Sequence, residues 1–157
     1  SVTLGGSDWD SSYDVYMVRF NNVVPSTDAQ KLTVKFTVSG TADSSANYDY
    51  AQKVLRTSTS FGNQSNTNQT SINSLDQGGT GTQESIQGIH YFFNFNNASQ
   101  YSFMTYEGTA NSSIDELNAR QGGGVLTVAQ ATDGVVYAFP SGNISAGATF
   151  TLYGLKK

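Results

Sequence analysis

Ile86 to Tyr106 constrains this chain more than any other stretch. It reads Ile-Gln-Gly-Ile-His-Tyr-Phe-Phe-Asn-Phe, then Asn-Asn-Ala-Ser-Gln, then Tyr-Ser-Phe-Met-Thr-Tyr. Aromatic residues suit a pleated, half-buried surface, and the Asn/Ser break is turn chemistry, so the stretch predicts a β-hairpin. Side chains alternate along a strand, which puts Ile89, Tyr91, Phe93 and Phe95 on one face. This is the densest apolar set in the chain and is expected in the core. His90 and Phe92 fall on the opposite face. Large groups on both sides imply a strand covered twice, by its own sandwich and by a loop or neighbouring subunit. His90 and Phe92 are therefore expected at packing or interface positions.

The other periodic segments point the same way. Val2–Leu4 reads as a short first strand. In Tyr13–Asn21, Tyr16, Val18 and Phe20 share a face, while Val15 and Met17 lie opposite beside Arg19. Lys31–Ser39 alternates most cleanly, with Leu32, Val34, Phe36 and Val38 inward and Lys31, Thr33, Lys35 and Thr37 toward water. Asn47–Thr57 fits a strand, although Ala51, Val54 and Leu55 also sit at helical spacing. Ser58–Gln83 is nearly all Ser, Thr, Asn, Gln and Gly, with Phe61, Ile72 and Leu75 as apolar anchors. It predicts one long polar loop, either a solvated excursion or a binding or assembly loop. Ser113 and Glu116 have capping-box spacing and suggest a short helical turn. Asp133-Gly134 predicts a hairpin turn between Val125–Val128 and Val135–Phe139. Ala148–Leu155 closes the series. Eight to nine strands in 157 residues predict a single all-β domain, residues 1–157. An antiparallel, jelly-roll-like β-sandwich is the leading architecture.

Charged residues make up only 13% and the net charge is −4, so the basic patch needed for nucleic acid is absent. No apolar run approaches the roughly 20 residues of a membrane span. There is no Cys and a single His, which argues against disulfides and a structural zinc site. The first residues carry no signal-peptide pattern, and the chain begins with Ser, as expected of a trimmed product or a fragment. Five Asn-x-Ser/Thr sequons, at Asn63, Asn68, Asn97, Asn111 and Asn143, fit the composition without implying glycosylation.

No motif assigns catalysis or a cofactor. Asp8, Asp10 and Asp14 alternate as in a calcium loop, but Tyr13 and Arg19 occupy the places where that loop needs Gly and Glu. Alternating Asp also leads into a strand, and that is the favoured reading. His90 has no nucleophile motif around it. The carboxylates Asp49, Glu84 and Glu107 are not selected as a pair. Tyr13, Tyr48, Tyr50, Tyr101, Tyr106 and Tyr153 are expected at the surface, where a rigid ring with a polar tip suits sugar stacking or a protein interface. Met17 joins them as an exposed apolar position on a strand.

Two stretches carry a resemblance. One is Ser-Ser-Tyr-Asp-Val-Tyr-Met-Val-Arg-Phe-Asn-Asn-Val-Val-Pro-Ser-Thr-Asp-Ala, residues 11–29. The other is Ser-Gly-Asn-Ile-Ser-Ala-Gly-Ala-Thr-Phe-Thr-Leu-Tyr-Gly-Leu, residues 141–155. Together they resemble uncharacterised structural proteins of tailed bacteriophages, especially marine ones. In that family a Y-D-x-Y strand followed by P-x-T-D opens the domain, and S-G-N-I with a later L-Y-G-I/L closes it. The resemblance implies a virion surface part, a tail fibre, spike or capsid decoration, that acts by binding and is not an enzyme. It implies copies of the same chain and other virion proteins as partners, a homotrimer in the case of a fibre, and a host-surface glycan as a further ligand. The chain departs from the pattern in its Lys156-Lys157 ending and its polar segment at 58–83. A carbohydrate-binding module and a filament subunit donating Val2–Leu4 are the alternatives.

Overall fold

The computed structural model describes residues 1–156; Lys157 of the terminal pair lies outside them. Twelve strands form two antiparallel sheets. They are β1 (Val2–Gly5), β2 (Val15–Val23), β3 (Gln30–Val38), β4 (Thr41–Ala42), β5 (Tyr48–Arg56), β6 (Gly62–Gln69), β7 (Ile72–Gly78), β8 (Ile86–Phe93), β9 (Ser102–Asn111), β10 (Leu117–Leu126), β11 (Gly134–Ala138) and β12 (Thr149–Leu155). The smaller sheet runs β1-β11-β3, with β4 and β7 both pairing with β3. The larger sheet runs β12-β2-β8-β9-β10-β5-β6. Four antiparallel pairs nest inside one another along the chain: β8 with β9, β5 with β10, β3 with β11, and β2 with β12. Nested pairing is the jelly-roll pattern. Here three of the four pairs share the larger sheet.

The expected hairpin exists, with Phe93 opposite Phe103 and His90 opposite Tyr106. Its facing is reversed from the sequence reading. Ile86, His90 and Phe92 are buried, whereas Ile89, Tyr91 and Phe93 lie on the outer face, only half-buried. The alternation breaks at Asn94, whose φ of 63° puts it in the left-handed region and turns Phe95 back into the core. A parity read from Phe95 backward is therefore wrong by one residue.

Other expectations also needed correction. The polar stretch 58–83 is not a loop: β6 pairs with β5, and β7 pairs with β3. Ile72 and Leu75 are fully buried as anchors, but Phe61 is 72% exposed. The Ser113–Leu117 helix is absent. Asp115 takes a φ of 58° in a turn and Leu117 opens β10. The strand expected at Val125–Val128 begins instead at Leu117, so that Gly122-Gly123-Gly124 lies within β10. Asp133-Gly134 is not a hairpin turn, because β10 and β11 belong to different sheets. The Asp133 carboxylate instead accepts hydrogen bonds from Thr37 Oγ1 at 2.6 Å and Gly40 N at 2.8 Å, pinning the crossover to the β3–β4 turn. Val2–Gly5 pairs with β11 of its own chain.

One core joins both sheets. Trp9 seals one end, stacking on Tyr16 at 4.4 Å and packing on Phe95 at 4.8 Å. His90 lies near its middle, edge-on to Phe20 at 4.7 Å and stacked near Tyr137 at 5.5 Å. Its Nδ1 shares a 2.9 Å hydrogen bond with the Tyr137 hydroxyl.

Candidate functional site

The outward side chains of the larger sheet follow from strand parity and register. One cross-strand row is Leu155, Val15, Phe93, Phe103 and Val125. The next is Tyr153, Met17, Tyr91, Thr105, Gly123 and Ala51. At about 4.8 Å per strand, the five apolar groups of the first row form a band about 19 Å long. Beyond the second row runs a mostly polar one of Arg19, Ile89, Glu107, Gln121 and Lys53. Phe103 is 42% exposed and Tyr153 is 41% exposed.

Adjoining shallow hollows occupy this face. The largest, about 500 Å³, has Gly123 in its floor, with Phe103, Val125 and Asp49 among its walls. A hollow of about 320 Å³ lies between Tyr91, Thr105, Glu107 and Gln121. A third, about 480 Å³, is bounded by Arg19, Ile89, Glu107 and Thr109, and a fourth of about 480 Å³ by Ala51, Lys53, Asn63 and Gln121. Gly123 deepens the surface because it carries no outward side chain, whereas the missing side chains of Gly88 and Gly108 make room for Phe20 and Leu75 on the core side. Such a face can hold a flat apolar or amphipathic partner across several strands.

The expected site residues fall into two groups. Met17 is on this face, half-buried. Tyr13 is exposed at the sheet end but not on this face: its ring lies over the inward side of Gly154, where a Cβ would come within 2.5 Å of it, and edge-on to buried Tyr16. Tyr101 is exposed in the β8–β9 connection. Tyr48, Tyr50 and Tyr106, expected at the surface, are instead inside. Each hydroxyl there has a partner: Tyr48 donates to Asp43 O and accepts from Phe36 N, Tyr50 accepts from Asn66, and Tyr106 donates to Gln52 Oε1. Burial raises all three phenols. His90 and Phe92 are fully buried, so they pack the core and present no interface. The single His is neutral because burial lowers it to about 3.

The Asp8, Asp10 and Asp14 pattern does not assemble a cation cage. Asp10 Oδ1 accepts the Ser12 N–H at 2.7 Å, a turn contact that lowers its carboxyl. Among the described residues no group of three His, Asp or Glu side chains could hold a metal ion.

A second feature sits inside the sandwich mouth. Arg120, on the inner side of β10, is 3% exposed and donates to Asp76 Oδ2 of β7 at 2.9 Å and to Gln64 Oε1 of β6. Gln52 Nε2 donates to the same Gln64 oxygen at 2.6 Å. A chain of polar groups thus runs from Tyr106 through Gln52 and Gln64 to Arg120 and Asp76, joining the two sheets. Burial lowers the Arg120 guanidinium, and Asp76 partly offsets this.

Sequence reading missed Phe103, Val125 and Leu155 as surface groups and Arg120 as a buried one. The register is what reveals them. Alternation alone hints at Phe103, which shares its parity with Thr105 and Glu107. No protein-family model, curated protein or solved structure matches this chain.

Proposed function

We propose that this chain is a surface part of a tailed-phage virion that acts by binding, not by catalysis, through the outer face of its larger sheet. The observation that carries the reading is the position of the two stretches resembling the phage proteins. Residues 11–29 and 141–155 lie against each other, from Val15 opposite Leu155 to Pro25 opposite Ile144. Ser26 and Asn143 bond reciprocally, through Ser26 N to Asn143 O and Asn143 N to Ser26 Oγ. The two halves of the resemblance thus describe one structural unit, and that unit contributes Leu155, Val15, Tyr153 and Met17 to the apolar face.

A second copy of this chain is the proposed occupant, in a homotrimer within a fibre, with other virion proteins as neighbours. A long apolar band within a surface of Ser, Thr, Asn and Gln favours such a partner. Sedimentation of the pure protein is expected to show an oligomer that Phe103→Lys converts to a folded monomer with unchanged far-ultraviolet circular dichroism. Antibodies to the domain are expected to mark capsid or tail in electron micrographs of intact particles. A wild-type monomer that fails to label particles would overturn the reading. Glycan binding is the second reading, favoured by the Tyr91 ring in a hollow bordered by Glu107 and Gln121 and by the Phe103 ring in the neighbouring hollow beside Asp49. It requires glycan-array hits that Tyr91→Ala abolishes.

A further inference from the structure

We propose a separate small-molecule site in the polar cleft between β5, β6, β7 and β10, which takes a monosaccharide bearing a carboxylate, a uronate. The cleft holds about 250 Å³ and is lined by Arg56, Ser60, Asn63, Gln64, Asp76 and Arg120, among others. That volume suits one sugar ring.

The floor is built and held. A guanidinium that is 3% exposed has lost nearly all its hydration, so Arg120 is an unfavourable way merely to fill space. Its two terminal nitrogens are committed to Gln64 and Asp76, while Nε has no hydrogen-bond partner. Gln64 Oε1 accepts from both Gln52 and Arg120. This fixes the amide and leaves its NH₂ group to donate. Asp76 supplies a carboxylate acceptor beside it. A fixed amide donor next to a fixed carboxylate suits a ring of adjacent hydroxyls, each of which both donates and accepts.

The anionic half of the ligand is chosen by Arg56. Its side chain is 35% exposed, its Nε is 3.9 Å from Glu116 Oε2, and that Nε has no hydrogen-bond partner. Two guanidiniums and one carboxylate line the cleft, while Glu116, outside the lining, stands 3.9 Å from Arg56, beyond hydrogen-bond range. Arg56 also lowers Arg120, so the two cations feel each other. A carboxylate accepts the paired N–H groups of a guanidinium and relieves that repulsion. The cleft adjoins the fourth hollow of the outer face, with which it shares Asn63 and Gln64, but its guanidiniums and Asp76 belong to it and not to that hollow, so this inference does not rest on the proposed function.

Titration of ¹⁵N-labelled protein with sodium galacturonate and glucuronate tests it, with galactose and sodium sulfate as comparison probes. Saturable shifts of the Gln64 and Asn63 side-chain amides are expected with a uronate. Galactose is expected to bind about tenfold more weakly, as is the uronate to Arg56→Gln. Arg56 is partly exposed, so that variant is expected to keep the wild-type unfolding temperature, and Gln64→Ala is the second variant expected to lose the response. No saturable response to either uronate, equal affinity in Arg56→Gln, or sulfate binding as tightly as the uronates would overturn the proposal.

Discussion

His90 puts an imidazole among aromatic rings, with Phe20 and Tyr137 against it and its Nδ1 bonded to the Tyr137 hydroxyl. Burial lowers it to about 3, against about 6.5 in an unfolded chain. Between those values the unfolded chain holds a proton that the folded one does not. Stability is therefore full above about pH 6.5 and falls as the pH drops toward 3, by up to about 1.4 kcal/mol per pH unit. Urea midpoints at pH 7 and pH 4.5 are expected to differ more in the wild type than in His90→Gln, which keeps only the contribution of the carboxylates. A wild-type fall no larger than the variant's would contradict a neutral core histidine. The sequence showed this residue on a strand between large groups, but not which way it faced. Parity there depends on Asn94, whose left-handed backbone leaves no trace in the hydrophobic pattern. Tyr48, Tyr50 and Tyr106 were misplaced for a related reason. A tyrosine reads as a surface residue until its hydroxyl finds a partner, and these partners come from other strands.

At the scale of elements, β10 shows how neighbours decide what a residue does. Its three consecutive glycines have low strand propensity, yet the strand runs through them in register with β9 and β5. A Cβ on inward Gly124 would lie 2.6 Å from Ile72 Cδ1, in a fully buried side chain. On outward Gly123 it would meet only Met104 O, at 3.3 Å. Gly124→Ala is expected to cost about 1–3 kcal/mol from overpacking, and Gly123→Ala clearly less. Chemical denaturation of the two variants checks this, and equal losses would contradict the packing. β6 was invisible in the sequence for the opposite reason. Gly-Asn-Gln-Ser-Asn-Thr-Asn-Gln has low strand propensity and no apolar alternation. It is a strand because β5 offers it a ladder, and its inward Gln64 and Asn66 bond to Arg120 and Tyr50. An element stabilised by its neighbour's backbone and by polar contacts leaves no hydrophobic signature.

At the scale of the molecule, the two-sheet sandwich was readable because it rests on the alternating strands β2, β3, β5 and β9. The unequal widths of the sheets were not readable. They depend on β6, β7 and the run of glycines, and they create both the broad outer face and the polar cleft. The nested pairing has a consequence for how the chain acquires its shape. β8 and β9 are neighbours in sequence and can close at once, but β5 must wait for β10, β3 for β11 and β2 for β12. Each closure shortens the loop that the next must bridge, so assembly is expected to zip outward from the central hairpin. Refolding is expected to be slow, in the millisecond to second range of β-rich topologies. Met104→Ala, in the hairpin, is expected to slow refolding, while Leu152→Ala, in the outermost pair, mainly speeds unfolding. Stopped-flow chevrons of the two variants distinguish these effects, and a reversed pattern would mean that assembly starts at the outer ladder. While the chain emerges from the ribosome, β5, β3 and β2 can each pair on one side with β6, β7 and β8, but their other edges stay open until β10, β11 and β12 arrive. The nascent protein therefore exposes open strand edges for most of its synthesis, and a chain stopped before β10 would be a sheet template with no complement.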